Sequence, residues 1–263
     1  MKIVVRPDAA AIAELVARLI ADQLRARPRT TLGLATGRTM ERIYIRLAAL
    51  HRLERLDFSQ VASFNLDEYI GLPASDPRSY RKYMDRFLFD HVDILPERTH
   101  VPDGMAPDHA AEGLRYESAI HDAGGIDLQL LGIGETGHIG FNEPLSAFAS
   151  RTRAVTLAPH TRTQNAAMFG NDDNAVPPRA MTMGIATILD ARQILLVATG
   201  IRKARMLALT VEGPMTAMIS GTALQSHPNC LVLADEPAAS QLTERAYYDH
   251  VARYDPEILA LPG

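Results

Sequence analysis

An acidic pair, a histidine with a carboxylate five residues on, and two turns rich in glycine and threonine are the residues of this chain that could do chemistry. The acidic pair lies in Phe64-Asn65-Leu66-Asp67-Glu68-Tyr69, after an apolar run. Neighbouring side chains of an extended segment point to opposite faces, so only one of the two carboxylates can enter a crevice. A carboxylate there can act as a general base toward a carbon acid. The same pair also suits a solvated turn or the cap of a short helix. His138 and Glu143 share the glycine-rich run Leu131–Pro144. Histidine moves protons near neutral pH, and a carboxylate can orient it and support its cationic form. Gly132, Gly134 and Gly137 match the spacing of a dinucleotide loop. That loop needs an acid about 20 residues on, and residues 151–160 contain none, so a nicotinamide cofactor is disfavoured.

Two further turns could hold an anion. In Leu34-Ala35-Thr36-Gly37-Arg38-Thr39, Gly37 permits a sharp turn, Thr36 and Thr39 offer hydroxyls, and a helix start offers free N–H groups. Arg38 is opposed there by the helix dipole and is more at home beside a bound anion. In Ala198-Thr199-Gly200-Ile201-Arg202-Lys203, the amine of Lys203 could contact the same group. Taken singly, these features also read as ordinary strand-to-helix turns, a structural histidine and a solvated lysine. Together they describe a small anionic substrate, a carboxylate base and a His/Glu proton relay. The histidines show no metal-ligand pairing, Cys230 stands alone, and no Ser or Cys sits in a nucleophile elbow, so neither a metal nor a covalent nucleophile is expected. Proton transfer on a sugar phosphate fits best, without naming a reaction.

The elements that must position these residues alternate. Strands are expected at Ile3–Val5, Thr31–Ala35, Val61–Leu66, Asp127–Gly132, Gln193–Ala198 and Cys230–Ala234. Helices are expected over 9–25, Met40–Leu53, Arg78–Phe89, Glu112–Ala123 and Ile201–Val211. Asp76 is the expected cap of the third, with Pro77 at its first position. Phe169–Pro178 reads as a loop. Strand–helix repetition means a mostly parallel α/β sheet flanked by helices, in one domain over 1–263. Ligands of such sheets sit beyond the carboxyl ends of the strands, where all four motifs fall.

Composition bounds the rest. A chain of 263 residues, 47% hydrophobic and 22% charged, can bury a sizeable core and is no disordered or coiled-coil sequence. A net charge of −4 gives no reason to expect nucleic acid or an anionic membrane as partner. The N-terminal apolar run is too short for a signal peptide, and no stretch reaches a membrane span; a soluble cytoplasmic protein is expected.

Read together, the motifs resemble the glucosamine-6-phosphate deaminase (isomerase) family. Gly33–Gly37, Asn65–Pro73, Gly132–Pro144, Ser150–Arg153 and Lys203 stand in that family's order and spacing, and the resemblance runs from about Ile3 to Pro237. The most specific element is Asp67-Glu68-Tyr69 followed by Gly137-His138-Ile139-Gly140-Phe141-Asn142-Glu143-Pro144. The related phosphogluconate lactonases share the fold but lack the Phe-Asn-Glu-Pro signature. The resemblance implies a Rossmann-like fold, no redox cofactor, and conversion of glucosamine 6-phosphate and water to fructose 6-phosphate and ammonia. It implies that Asp67 takes the C2 proton, that His138 opens the sugar ring, and that Glu143 orients His138. Thr36, Gly37, Thr39 and Lys203 would hold the phosphate under a lid at about 157–180.

The chain departs from the family pattern at four places. Thr136 stands where Asp or Asn is common beside the histidine, and Ala167 where the lid carries a phosphate-binding Arg. Arg38 replaces a Gly and could restore the charge lost at Ala167. The alternatives are another amino sugar phosphate, such as galactosamine 6-phosphate, or a catalytically silent sugar-phosphate sensor. Some hexameric members are activated by N-acetylglucosamine 6-phosphate at a subunit interface. Ser146 and Arg153 match that site, but Val155 replaces a needed Lys, so little activation is expected. Members range from monomer to hexamer, which leaves a homo-oligomer open.

Overall fold

The computed structural model describes residues 1–262. In chain order its strands are β1 (Lys2–Arg6), β2 (Thr31–Leu34), β3 (Ala62–Asn65), β4 (Asp67–Tyr69), β5 (Thr99–His100), β6 (Leu128–Gly132), β7 (Arg153–Thr156), β8 (Arg179–Thr182), β9 (Gln193–Ala198) and β10 (Cys230–Asp235). Its helices are α1 (Ala9–Ala26), α2 (Arg38–Glu54), α3 (Tyr80–Phe87), α4 (His109–Asp122), α5 (Pro159–Asn165), α6 (Ile185–Leu189), α7 (Ala204–Glu212), α8 (Glu236–Ala239), α9 (Arg245–Tyr254) and α10 (Pro256–Leu259).

Seven strands form one sheet in the order β1-β10-β9-β6-β2-β3-β5. Every pairing within it is parallel. The inner strands are continuous apolar runs because helices cover both faces; Ile194 to Val197 and Val232 to Ala234 are buried throughout. Helix α1 turns Ile12, Leu15, Val16, Ile20 and Leu24 inward, and Asp8 caps it by accepting from the N–H groups of Ala10 and Ala11. The strand order reverses between β2 and β6. At such a switch point the connections leave in opposite directions and open a crevice at the carboxyl edge.

The parallel α/β sheet expected from the sequence is therefore present; it gains an edge strand, β5, and a neighbouring sheet. A second, antiparallel sheet of order β4-β8-β7 stands at that same edge. Its strands have three or four residues, too short to leave a clear alternation in the sequence. Leu66 joins the two sheets. Its N–H donates to Leu34 O in the line of the large sheet, and its carbonyl accepts from Met183 N beyond the small one.

Several boundaries shift by one to three residues, and two of the differences bear on the site. Helix α3 begins at Tyr80 and is capped by Ser79, whose hydroxyl accepts from Lys82 N. Asp76 is not its cap, because that carboxylate is taken up by the backbone and guanidinium of Arg78. Residues Ile201–Lys203 form a 3-10 turn before α7, so Lys203 ends a turn rather than lying within a helix.

Candidate active site

A cleft of about 970 Å³ opens at the carboxyl edge of the large sheet. Thr36, Gly37, Arg38, Thr39, Asp67, His138 and Lys203 all line it. Residues that lie far apart in sequence thus meet because β2, β3, β6 and β9 all end there and β4 begins there. Thr136 and Glu143 stand behind the imidazole rather than on the wall.

The end of the cleft that could hold an anion is built by two turns. Gly37 has φ +117°, a conformation other residues rarely adopt, and it turns the chain directly into α2. No side chain caps that helix, so its first N–H groups are left for a ligand. Tyr83 donates its hydroxyl proton to Gly37 O at 2.8 Å and fixes the turn from α3. The second turn approaches so closely that Thr39 Oγ1 and Thr199 Oγ1 are 3.4 Å apart. Gly200 N–H donates to both carboxylate oxygens of Asp235, at 2.9 and 3.0 Å. Burial lowers the Lys203 amine, and Arg202 and Arg38 act in the same direction while Glu135 opposes them. A site that crowds cations in this way is relieved when an anion binds.

Asp67 and Glu68 point to opposite sides of β4, and each has a separate task. Glu68 faces α3 and accepts from the N–H groups of Tyr69, Tyr80 and Arg81, at 2.8, 3.1 and 3.0 Å. It anchors the first turn of that helix. Burial pushes its carboxyl up to about 7 even against those three donors. Asp67 faces the cleft and accepts no hydrogen bond among the described residues. Burial raises its carboxyl well above the usual range, with a smaller push from Glu68. A raised carboxyl is a better base near neutral pH than an ordinary one, and it sits over the space a substrate would fill.

The imidazole of His138 is 8% exposed and lies flat against Gly134, where an added Cβ would overlap the ring. Its Nδ1 lies 2.7 Å from Thr136 Oγ1 and 3.9 Å from Glu143 Oε2. With Nδ1 engaged on the far side, Nε2 is the nitrogen left for chemistry. Burial drives His138 down to about 4; Glu143 opposes this, and Lys203 and His160 add to it. Glu143 Oε1 accepts from Ala158 N at 2.9 Å. Among the described residues no group of three or more His, Cys, Asp or Glu is arranged to hold a metal ion, and no helix is long and apolar enough to cross a membrane.

The segment read as a lid supplies Gln164, Asn165, Ala167 and Met168 to the cleft wall. Its last two residues, Arg179 and Ala180, belong instead to β8, where pairing holds them in the small sheet. The loop expected at Phe169–Pro178 contains a 3-10 turn at Asp173–Ala175. Phe169 packs edge-on to Tyr69 with the Arg78 guanidinium 5.4 Å from its ring. Ala167 and Arg38 both line the same cleft. Arg153 bonds to Asn142 Oδ1 and Ser146 Oγ, and Val155 packs against the core.

Four positioning residues went unread in the sequence. Asp235 directly follows the last apolar strand, a position that could have flagged it. Tyr80 and Tyr83 share a helix face at i,i+3, a weaker signal. The backbone N–H of Ala158 leaves no trace in sequence at all.

Residues 8–234 match the family of glucosamine-6-phosphate isomerases and 6-phosphogluconolactonase. The chain belongs to this family. Among its relatives, the glucosamine-6-phosphate deaminase of Hahella chejuensis is 48% identical over 248 residues, 94% of each chain. The glucosamine-6-phosphate deaminase of Shewanella halifaxensis is 45% identical over 263 residues, the whole of both chains. Of solved structures, a monomeric glucosamine-6-phosphate deaminase superimposes with a TM-score of 0.90 at 43% identity, over 92% of this chain and 100% of that one. The 6-phosphogluconolactonase of Thermotoga maritima superimposes with a TM-score of 0.72 at 18% identity, over 89% and 99%. That likeness speaks for the fold alone.

The packing of His138 against a bare glycine gives a direct test. Gly134→Ala forces the ring off its seat, and a displacement of about 1 Å at a proton-transfer group costs roughly 100-fold in rate. Turnover should fall by about that factor while thermal unfolding shows a folded protein; full turnover would mean the ring position is not critical.

Proposed function

We propose that this cleft converts glucosamine 6-phosphate and water to fructose 6-phosphate and ammonia. The observation that carries the reading is the placement of Asp67 and His138 on one cleft wall beside an anion cradle. Relatives of 45–48% identity over most or all of the chain, all glucosamine-6-phosphate deaminases, support the same activity.

The phosphate occupies the N–H groups at the start of α2, the hydroxyls of Thr36 and Thr39, and the amine of Lys203. His138 Nε2 takes the proton of the anomeric hydroxyl as the C1–O5 bond breaks and returns it to O5, giving the open-chain aldehyde. Asp67 then removes the C2 proton, and the electron pair moves to give an enolamine. Asp67 returns that proton to C1, which leaves an imine at C2. Water adds to that carbon, and ammonia departs. Glu143 orients His138 and stabilises its transient positive charge. Segment 159–175 covers the cleft and limits the access of bulk water. The substrate is an ionised phosphate that does not cross a bilayer unaided, which favours a cytoplasmic setting.

The deciding experiment incubates the purified protein with glucosamine 6-phosphate and follows ammonia and fructose 6-phosphate together, with Asp67→Asn as control. Equal amounts of both products, lost in the variant, are expected. Ligand binding without product would turn the reading to a sensor, and product from galactosamine 6-phosphate alone would change the substrate.

Arg38 takes part in phosphate binding in this reading, since it lines the same cleft as Ala167. A charged hydrogen bond contributes roughly 1.5–3 kcal/mol net. Arg38→Ala should therefore raise KM roughly 10- to 100-fold with kcat little changed; an unchanged KM removes Arg38 from the site. Activation by N-acetylglucosamine 6-phosphate is expected to be weak or absent, because Val155 offers no charge beside Arg153. A sigmoidal rate curve straightened by that sugar would contradict this.

A further inference from the structure

The cleft is larger than a single hexose phosphate requires. Its volume of about 970 Å³ stands near the top of the range for small-molecule sites, roughly 300–1,000 Å³. It continues past the Gly37 turn along α2 and α3, where Arg42, Lys82 and Arg86 line it together with Phe87. Arg38 and Arg42 lie four residues apart on α2, and Lys82 and Arg86 four apart on α3, so each pair shares a helix face. Like charges at that spacing destabilise a helix, so helix formation does not account for them. Carboxylates do not account for them either. Among the described residues Arg38, Arg42 and Arg86 enter no ion pair, and Lys82 shares Asp85 with Arg81, at 2.9 and 3.0 Å. Glu41 is the carboxylate that these two helices bring to the cleft. Tyr83 ties α3 to the carbonyl of Gly37, so the cations of both helices and the first turn are held as one surface.

We propose that this extension is a second anion subsite, and that the cleft binds a linear polyphosphate chain. The end phosphate of the chain sits in the Thr36–Thr39 turn, and the phosphates joined to it run along Arg38, Arg42, Lys82 and Arg86. The inference rests on the proposed phosphate cradle and adds a ligand that the proposed reaction does not use. Such a ligand fills the cradle and therefore competes with the sugar phosphate.

The placement of the reacting groups decides which kind of second charge fits. In the proposed reaction the sugar runs from the cradle toward Asp67 and His138. A second phosphate carried on the sugar would travel toward Asp67, whose ionised form repels it. A second phosphate joined to the first through an anhydride oxygen leaves on the other side. Helix α3 starts against β4, where Glu68 holds the N–H of Tyr80, and Arg86 follows Tyr80 by roughly 9 Å along the helix axis. Arg38 and Arg42 are about 6 Å apart along α2. Two or three linked phosphates cover such a span, and each guanidinium can take two of their oxygens. Orthophosphate is too short to leave the cradle.

The test titrates the protein with inorganic orthophosphate and with inorganic tripolyphosphate in a calorimeter, free of divalent cations, and needs no turnover. Tripolyphosphate should bind one per chain and displace orthophosphate. It should bind roughly tenfold or more tighter, the factor one further charged contact supplies. In the double variant Arg42→Gln/Arg86→Gln that advantage should fall below about threefold, while orthophosphate affinity and the KM for glucosamine 6-phosphate stay within about twofold. Unchanged orthophosphate binding also shows that the variant is folded. Adenosine triphosphate separates the two sources of such a chain: affinity equal to that of tripolyphosphate assigns recognition to the chain alone, and tighter binding adds the nucleoside. Tripolyphosphate that binds no tighter than orthophosphate, or an advantage that survives the double substitution, overturns the inference and leaves the proposed reaction standing. Absence of both orthophosphate binding and turnover in the wild type removes the cradle, and the subsite with it.

Discussion

The architecture of the site depends on how one residue passes between two sheets. Leu66 keeps its N–H in the register of the large parallel sheet and gives its carbonyl to the backbone that follows the small antiparallel one. The chain therefore cannot rotate as it leaves β3. Alternation along β4 then settles the next two side chains, Asp67 into the cleft and Glu68 toward α3. A slip of one residue would exchange them, placing the helix anchor in the cleft and the base against a helix terminus that would keep it ionised but out of reach. The same junction fixes α3, because Glu68 gathers the N–H groups of its first turn. Helix α3 in turn carries Tyr83, which holds the carbonyl of Gly37. Asp67 and the Gly37 turn are thus placed by one continuous set of backbone constraints.

Electrostatics divides the cleft into two ends with opposite requirements. At the anion end, Arg38, Arg202 and Lys203 crowd one another, and Glu135 is the carboxylate that offsets them; its oxygens lie 3.3 Å from Arg202 and 3.9 Å from His160. At the reacting end, burial raises Asp67 and lowers His138, so each is pushed toward its uncharged form. Neither group is held in a strong ion pair that would have to be given up before a proton moves. The charge that a phosphate brings is met at the other end. A chain with net charge −4 can bind an anion for this reason: its balance is set over the whole surface, and its local field is set at the strand ends.

Much of this was legible in the sequence for definite reasons. The apolar runs of β2, β6, β9 and β10 are buried on both faces and stand out as strands, which places the turns after them at one edge. Alternation alone separates Asp67 from Glu68. Features settled by tertiary partners were not legible. Asp76 followed by Pro77 looks like a helix start, yet Arg78 claims the carboxylate and the helix waits for Ser79. Strands β7 and β8 are short and half polar, and they exist because β4 and each other offer an edge. The hold of Asp235 on Gly200 spans 35 residues and involves a backbone donor that every sequence possesses.

That last contact bears on why the cradle works as one unit. A phosphate site made from two turns needs both held before the ligand arrives, or the ligand must pay to order them. Here each turn is braced from outside the cleft. Tyr83 grips the first through its carbonyl, and Asp235 grips the second through its N–H while also capping α8 through Ala238 N. The groups consumed by bracing are ones a phosphate could not use well, since a carbonyl repels it and a single N–H contributes little beside the amine of Lys203. The groups left over are the uncapped N–H donors of α2, two threonine hydroxyls and the cations. Under the proposed function, a cradle fixed in this way would hold one end of a six-carbon chain rigidly, and the distance from phosphate to C1 and C2 would then be a property of the protein. In the proposed reaction Asp67 would meet C2, and His138 the anomeric and ring oxygens, because β3 and β6 end where that length of chain runs out.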